Sequence, residues 1–402
     1  MRLPLCILAL AVSAWAADVD VPQPDAAAAP DSAQAQAAAP APAPQTPAPA
    51  DAAKPADATP PAPPPKYDGF VFSGLADGYF SLNFNHPIGD SNQLQNFNLN
   101  WGTPEMSLVK ATVDKSDKMF GFHIDVGFGE TMRLIHAGDV ASIDHKGLRY
   151  VEQMYLIAKP NHLHGTEIDF GQFVTSAGAE VIEANSNWNY SRSLLFAWAI
   201  PYYHFGFRTS TPITKEWTVG VQVVNAWNTV WGNNDMKNVG ITSALTKTKY
   251  TWSVNYYVGP NNLGTSTGVR NLVDTTLLLT PNSKVNVYIN GDYGRNGNPT
   301  GVGYTEWAGI GAAATVHLSS HFSLSPRVEI FDDSNGFSTG TKQTIKEGTI
   351  TGEYKYNDHF IGRLEYRHDS SDALFFNRGV GDLAKAQSIF TIGLMAVLGP
   401  LK

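Results

Sequence analysis

Cysteine is almost absent from this chain, and so are long apolar runs. The 402 residues include a single cysteine, Cys6. Because Cys6 lies in a leader that we expect to be removed, the remaining chain has no disulfide and no thiol nucleophile. No segment approaches the roughly 18 consecutive apolar residues that a membrane-spanning helix requires, and the sequence therefore predicts no such helix.

Charged residues are also scarce. They make up 16% of the chain, whereas about a quarter is typical of soluble domains. What the chain has instead is abundant glycine and proline, with aromatic side chains at 11% of all residues. The 28 basic residues are outnumbered by 36 acidic ones and form no block. This balance excludes a nucleic-acid partner.

The first residues have the pattern of a secretory signal. Arg2 supplies a positive charge, residues 5–12 form a short apolar run, and Ala14-Trp15-Ala16 is a small-residue cleavage motif. We therefore expect residues 1–16 to be a signal peptide that is cleaved after Ala16. The alternative is a buried N-terminal helix.

Residues 17–66 are rich in alanine and proline and contain no aromatic residue. Such a segment cannot bury enough apolar surface to offset its chain entropy, and its prolines favour the extended polyproline II conformation. At about 3.1 Å per residue it could reach on the order of 100 Å. We expect a disordered periplasmic linker that acts as a tether or, alternatively, as an arm reaching cell-wall material.

From residue 67 onward the hydrophobic period is two, which is typical of β-strands. In one example, Phe360, Gly362, Leu364 and Tyr366 alternate with charged residues of both signs. Charges on this many strand faces would cost several kcal/mol each if unpaired in a dry core, so the pattern indicates a wet interior. The sequence predicts sixteen strands, at residues 69–83, 96–113, 118–129, 148–159, 166–174, 201–211, 217–227, 238–247, 249–258, 270–280, 284–294, 304–317, 321–332, 342–356, 358–370 and 386–398.

The predicted connections alternate between short turns and longer loops. Residues 114–117 and 281–284 are examples of turns, and residues 261–269 and 333–341 of loops. Membrane barrels sort their connections in this way, and an even strand count places both termini in the periplasm. We therefore predict an all-β fold, a transmembrane antiparallel barrel of about sixteen strands over residues 67–402.

A barrel of this size is wide enough for an aqueous channel, whose selectivity would depend on its width and lining charges. The predicted function is passive diffusion of small polar solutes and ions. The predicted pore-lining residues are Asp125, Glu167, Asp169, His204, Arg208, Arg327, Glu329, Glu353, Arg363, Glu365, Arg367 and Asp369.

The longest loop, at residues 175–200, ends in an unusually apolar stretch at 194–200. A fully exposed loop should not be this apolar, so we expect it to fold into the lumen or onto the barrel wall. We predict that it narrows the pore at a constriction formed by Glu180, Glu183, Asn187 and Arg192. The alternative is a short helix that caps the rim.

Several segments together resemble the β-barrel porin-2 (OmpL-like) family. They are residues 97–100, 121–129, 168–173, 178–180 and 189–193. The resemblance covers most of residues 67–400 and implies an outer-membrane porin of a Gram-negative-type bacterium. The chain departs from many outer-membrane proteins at its end, Leu398-Gly399-Pro400-Leu401-Lys402, which lacks a terminal aromatic residue.

Two other functions remain open from the sequence. One is a substrate-specific channel for sugars or oligosaccharides, and the other is a structural or adhesive barrel with a plugged lumen. We expect no catalytic residues, no metal site and no cofactor, because the histidines are scattered and no loop has the pattern of a dedicated metal site. The expected partners are outer-membrane lipid, small polar solutes and, for a homo-oligomer, further copies of the chain.

Overall fold

The computed structural model describes residues 69–89, 91–139, 147–379 and 381–401. The predicted signal peptide at 1–16 and linker at 17–66 lie outside these residues. The strands are β1 (Phe70–Asn83), β2 (Glu105–Ser116), β3 (Phe120–Phe128), β4 (Val151–Ala158), β5 (Glu167–Val174), β6 (Tyr203–Pro212), β7 (Trp217–Val224), β8 (Asn238–Lys247), β9 (Tyr250–Pro260), β10 (Val269–Leu279), β11 (Val285–Gly297), β12 (Tyr304–His317), β13 (Phe322–Asp333), β14 (Gln343–Lys355), β15 (Phe360–Ser371), β16 (Phe376–Arg378), β17 (Asp382–Ala384) and β18 (Ala386–Leu401).

Sixteen of these strands form one closed antiparallel barrel. Each strand pairs with its neighbours in the chain, and β1 closes the barrel against β18, with Phe80 opposite Ile392. Strands β16 and β17 form a separate hairpin between β15 and β18. The predicted barrel of about sixteen strands is confirmed.

The barrel has apolar side chains outside and polar side chains inside. Strand β13 alternates without exception between exposed and buried residues. Its outward Val328 is 61% exposed, whereas its inward Arg327 is 1% exposed. Because apolar surface is driven out of water at roughly 25 cal/mol per Å², this outer wall matches a lipid environment rather than an aqueous one.

Short helices occur in the connections. They are α1 (Glu130–Ile135), α2 (Leu194–Trp198) and three 3₁₀ turns, Leu148–Tyr150, Asn161–Leu163 and Ala184–Ser186. Among the described residues, none of the helices has the length and apolar character needed to cross a membrane.

The connections differ between the two ends of the barrel. The end that we call the turn end carries mostly short links, such as residues 248–249 and 356–359. The opposite end, the loop end, carries loop 1 (residues 84–104), loop 3 (residues 175–202) and the other long connections. This is the sorting that the sequence predicted.

Strand β2 begins later than predicted. The sequence pattern placed a strand at 96–113, but the ladder starts at Glu105. Gly102 has a φ of 76°, which favours glycine, and Pro104 follows it, so the chain turns here before it enters the sheet. Residues 96–100 instead belong to loop 1, where Phe97 is completely buried.

Candidate functional site

Loop 3 lies inside the barrel, against the inward faces of many strands. Its first turn is fixed near β6, β9 and β10. The hydroxyl of Thr175 lies 3.1 Å from Nε2 of His204 and donates to the Tyr257 hydroxyl at 3.2 Å. The backbone N–H of Gly178 donates to Asp274 at 3.0 Å. Because buried backbone groups need partners, these contacts allow the chain to leave β5 directly into the lumen.

Three inward arginines on β13 and β15 hold the middle of loop 3. The Arg363 guanidinium donates to the backbone carbonyls of Ala184 at 2.7 Å and Asn189 at 2.9 Å, and it also contacts the carbonyl of Asn187. Its remaining edge donates to Glu353 at 2.8 Å. A planar guanidinium with five donors suits this task, since it serves several carbonyls while remaining ion-paired.

Arg327 and Arg367 make equivalent contacts further along the loop. Arg327 donates to the Glu180 carboxylate at 2.8 Å and to the Ser191 carbonyl at 2.6 Å. Arg367 donates to the Arg192 carbonyl at 2.6 Å. Hydrogen bonds to charged groups contribute about 1.5–3 kcal/mol each, so this set is a strong attachment.

Inward carboxylates bind the backbone N–H groups of the same segment. Glu365 accepts from Tyr190 N–H at 2.6 Å and from Ser191 N–H at 2.9 Å. Glu329 accepts from Leu194 N–H at 2.7 Å, at the start of α2. We call these arginines and carboxylates of β13–β15 the loop clamp, and its members are Arg327, Glu329, Glu353, Arg363, Glu365 and Arg367.

Arg192 is buried within loop 3 itself. Its guanidinium donates to the Val181 carbonyl at 3.1 Å, contacts the carbonyls of Ile182 and Tyr190, and lies 4.8 Å from the centre of the Phe97 ring. Burial lowers the pKa of this guanidinium from its ordinary value. The side chain therefore braces the loop from inside.

The C-terminal part of loop 3 packs against loop 1. The ring of Phe97 lies 5.5 Å from the rings of both Phe196 and Tyr202. The Asn96 amide donates to the Ala197 carbonyl at 3.1 Å and to the Tyr202 hydroxyl at 2.8 Å. The apolar stretch 194–200 is thus covered by loop 1 and by the barrel wall, and a five-residue helix, α2, lies within it.

The opposite edge of loop 3 is less covered. We call the partly exposed side chains of Val181, Glu183, Asn185, Ser186 and Trp188 the free edge. Trp188 packs on Tyr288 of β11 with the ring centres 5.1 Å apart. The free edge therefore keeps solvent-accessible side chains inside the barrel.

Lys110 of β2 links the free edge to the facing wall. Its ammonium contacts Glu183 and lies 3.2 Å from Asp125 and 3.5 Å from Glu152. Neither oxygen of the fully buried Glu152 accepts a hydrogen bond from the described residues. Asp125 also lies 2.9 Å from His123 Nε2. Three carboxylates thus share one ammonium, and His123 is a second basic partner of Asp125.

A second charged pair lies on β5 and β6. Arg208 donates to Asp169 at 2.7 Å, directly across the two strands. Its guanidinium also lies 4.8 Å from the ring centre of Tyr155 and 4.5 Å from that of Phe173. The Tyr155 ring in turn stacks on His123 at 5.0 Å. Aromatic and charged side chains of β3–β6 therefore contact one another.

The predicted site residues fall into distinct groups, and their pore-lining role stays a prediction. Members of the loop clamp lie buried beneath loop 3, together with Asp369, which pairs with Arg367 at 2.9 Å. Asp125 lies beside Lys110, which contacts Glu183 of the free edge, and Asp169 pairs with Arg208 across β5 and β6. His204 is fully buried behind Thr175, and Glu167 pairs with Lys159 at 2.8 Å.

The residues predicted for the constriction are all in loop 3, but they face different ways. Glu180 and Arg192 are buried in contacts, whereas Glu183 is on the free edge. Asn187 bridges the loop internally, since it accepts from Val181 N–H at 2.8 Å and donates to the Val181 carbonyl at 2.7 Å.

Several residues that contact loop 3 were not predicted from the sequence. Lys110 was missed because the wrong start of β2 obscured which of its residues point inward. Asp77 of β1 accepts from the Tyr190 hydroxyl at 2.8 Å, and Asp274 of β10 holds Gly178. Both aspartates have the inward parity of their strands, and this parity is the signal that could have found them.

A closed sixteen-stranded barrel with an apolar outer wall and a long loop folded into its lumen defines the class of outer-membrane porins. The family model described as "Putative beta-barrel porin-2, OmpL-like" matches residues 69–398. The chain belongs to this family, as its sequence predicted. None of the curated proteins matches the chain.

Solved porin structures share the fold at low sequence identity. The anion-selective porin from Comamonas acidovorans has a TM-score of 0.55 and 8% identity, with 82% of this chain and 99% of that chain covered. The outer membrane channel DcaP of Acinetobacter baumannii has a TM-score of 0.54 and 11% identity, covering 83% and 98%. OmpT of Vibrio cholerae, in a trimer form, has a TM-score of 0.52 and 15% identity, covering 82% and 98%.

Proposed function

We propose that this porin passes small polar solutes and ions by diffusion through a narrow channel bounded by the free edge of loop 3. The observation that carries the proposal is the loop clamp, which holds loop 3 across the lumen of a barrel with polar inward faces. The solute path then lies between the free edge and the wall of β2–β6. Membership of a porin family supports transport rather than catalysis as the role of this site.

The accessible charges favour cations over anions. The arginines of the loop clamp are buried and paired with carboxylates and carbonyls, so they offer little positive potential to a passing ion. On the facing wall, Lys110 is shared by Asp125, Glu152 and Glu183. Selectivity in a pore depends on such lining charges, and the path is therefore mildly cation-selective.

Replacing Lys110 with methionine tests this assignment. Removal of the ammonium leaves Glu152 and Glu183 without an ion-pair partner among the described residues, whereas Asp125 keeps His123, so the cation-to-anion permeability ratio rises severalfold. The ratio is obtained from the reversal potential across a bilayer in a KCl gradient. Lys215→Met, in an exposed turn between β6 and β7, is the control and leaves the ratio at the wild-type value. An unchanged ratio in a folded Lys110→Met barrel contradicts the assignment.

A substrate-specific channel for sugars or oligosaccharides is the second candidate. It is favoured by the aromatic and charged side chains on β3–β6, where Tyr155, Phe173 and Arg208 lie together. Aromatic faces and paired charges are groups that bind sugar rings and hydroxyls. Reversible block of the single-channel current by a sugar series supports this candidate, whereas sugar-independent current supports general diffusion.

A plugged, structural barrel is the third candidate. It is favoured by the apolar contacts of loops 1 and 3, in which Phe97, Phe196 and Tyr202 fill part of the lumen at the loop end. Folded protein that gives no current steps in a bilayer supports the plugged barrel and contradicts both transport candidates.

We also propose the placement of the remaining chain. Residues 1–16 direct export, and residues 17–66 form a periplasmic arm in reach of cell-wall material, because their composition suits a leader and an extended linker. The loop end of the barrel is then external. A homo-oligomer is proposed as well, since one structural neighbour, OmpT of Vibrio cholerae, is described in a trimer form.

A further inference from the structure

Arg270, at the loop end of β10, is an inward arginine without an acidic partner. Other inward lysine and arginine side chains of the barrel lie within ion-pair distance of a carboxylate, and they are Lys110, Arg208, Arg327, Arg363 and Arg367. Arg270 is only 4% exposed, yet it makes no ion pair with the described residues. A buried charge is strongly unfavourable without a counterion, so a group of opposite charge is expected beside it.

The contacts of Arg270 leave one edge of its guanidinium free. Nε donates to Asn296 Oδ1 at 2.8 Å, and the group lies 4.8 Å from the ring centre of Trp227 and 5.0 Å from that of Phe337. Nη1 and Nη2 have no hydrogen-bond partner among the described residues, and they are not sealed from solvent as Arg208 Nη1 is. These two nitrogens form the fork of parallel N–H donors that a planar carboxylate accepts.

A second polar side chain without partners lies two strands away on the same inner wall. Asn238 of β8 covers Gly259 of β9, since a Cβ at Gly259 would clash with Asn238 Oδ1, and Gly259 is paired directly with Arg270. Asn238 is 1% exposed, and neither atom of its amide group has a hydrogen-bond partner among the described residues. Because buried polar groups are almost always hydrogen-bonded, this amide independently indicates a polar ligand at this level of the wall.

The carboxylates of neighbouring segments are used elsewhere. Asp274 and Asp292 face each other across β10 and β11, four residues along from Arg270 and Asn296, or about 13 Å at roughly 3.3 Å per residue. Asp333 accepts from the backbone N–H groups of residues 337 and 338 at 2.8 and 3.0 Å. The counterion of Arg270 is therefore expected from a solute rather than from these side chains.

The surroundings of Arg270 place it between the loop end and the entry of loop 3 into the lumen. Asp274 holds the first turn of loop 3, about 13 Å further along β10. Trp307, whose ring stacks on Phe337 at 5.0 Å, donates from Nε1 to the carbonyl of Ala199 at 2.9 Å, near the end of loop 3. A solute from the loop end therefore passes Arg270 before it reaches the level at which loop 3 enters the lumen.

We propose that this site binds the carboxylate group of a small organic acid. The inference rests on the proposed diffusion function and adds a class of solute to it. Nη1 and Nη2 of Arg270 donate to the two carboxylate oxygens, and the Asn238 amide donates to the same group once its side chain turns from Gly259 toward Arg270. One unpaired positive charge matches a singly charged carboxylate. The rings of Trp227 and Phe337 shield the pair from water, which strengthens it.

Saturation-transfer NMR of the purified barrel in detergent tests the proposal with propionate and its neutral isostere propionamide. We expect the wild-type protein to bind propionate at least tenfold more tightly than propionamide. Arg270→Met weakens the binding of propionate at least tenfold and leaves that of propionamide unchanged. Asn238→Leu, which breaks no side-chain hydrogen bond among the described residues, weakens the binding of propionate severalfold.

The matched control is Arg295→Met on β11, which removes the same charge from an exposed, outward position next to Asn296. This variant binds propionate with wild-type affinity. Current steps in a planar bilayer are recorded for each variant and report on the channel separately. Loss of current steps contradicts the channel function, whereas conducting barrels that do not distinguish propionate from propionamide contradict the carboxylate site alone.

Two results would overturn the proposal. The first is equal affinity of the folded wild-type protein for propionate and propionamide. The second is wild-type affinity for propionate in the folded Arg270→Met variant. Where Arg270→Met does not fold, Arg270→Lys takes its place, because it keeps the charge but loses the fork of two donors. Wild-type affinity for propionate in both Arg270→Lys and Asn238→Leu then overturns the proposal equally.

Discussion

Removal of residues 180–192 from loop 3 is expected to raise the single-channel conductance several-fold. This segment includes the whole free edge and most of the backbone held by the loop clamp. Its removal replaces protein with water across the lumen, and the conductance of a pore rises with its open cross-section. The measurement is the current step of the purified protein in a planar lipid bilayer.

The barrel should tolerate this deletion because the loop clamp keeps partners without loop 3. Arg363 still pairs with Glu353 at 2.6 Å, Arg367 with Asp369 at 2.9 Å and Arg327 with Glu347 at 3.4 Å. A matched control removes residues 262–267, an exposed loop between β9 and β10 that lies apart from loop 3, and leaves the conductance unchanged. Unchanged conductance in a folded barrel lacking residues 180–192 would show that loop 3 does not narrow the pore.

Replacement of Arg363 with methionine is expected to release the middle of loop 3. The side chain is 1% exposed and holds three loop carbonyls together with Glu353. Loss of one partner from a buried ion pair costs about 3–5 kcal/mol, because the other charge is left uncompensated. Amide hydrogen exchange at residues 184–192 therefore speeds up by at least tenfold, and the open-channel current becomes noisier.

Two further variants separate the loop clamp from general destabilisation. Arg363→Met combined with Glu353→Gln removes the unpaired charge and recovers part of the exchange protection, although the lost carbonyl contacts keep it below wild type. Arg378→Met, at an exposed position of β16, leaves exchange in loop 3 unchanged. Wild-type exchange at 184–192 in Arg363→Met would mean that other contacts suffice to hold the loop.

Much of the fold could be predicted from the sequence because strand parity is a local property. The alternation along β13 gives the strand, its two faces and the side that meets lipid. The predicted bounds of β8 and β12, 238–247 and 304–317, agree with the structure. The alternation was less informative for β4, because this strand is irregular and has a register shift opposite Asp125.

The start of β2 could not be predicted because apolar residues in loop 1 imitate a strand. Phe97 and Leu99 alternate with asparagines, as the residues on the two faces of a half-buried strand do. The actual partners of Phe97, Phe196 and Tyr202, are about a hundred residues away in the chain. Only the tertiary contact distinguishes a buried loop from a strand here.

The contacts of loop 3 could not be predicted from the sequence either, because they join residues that are far apart in the chain. The pattern showed that residues 194–200 are too apolar for an exposed loop, and this predicted a location in the lumen or on the wall. It could not show that Arg363 binds Ala184, 179 residues earlier, or that Glu365 binds Tyr190. The sequence pattern indicated that the charged faces of β13–β15 line the channel, which stays a prediction, but it did not show their contacts with loop 3.

The central claim is that this barrel is an open channel narrowed by loop 3, and single-channel recording of the folded wild-type protein tests it most directly. The account predicts discrete current steps in a planar bilayer, with a mild preference for cations. Complete absence of steps from protein that is shown to be folded would contradict it and would leave a plugged barrel as the function of this chain.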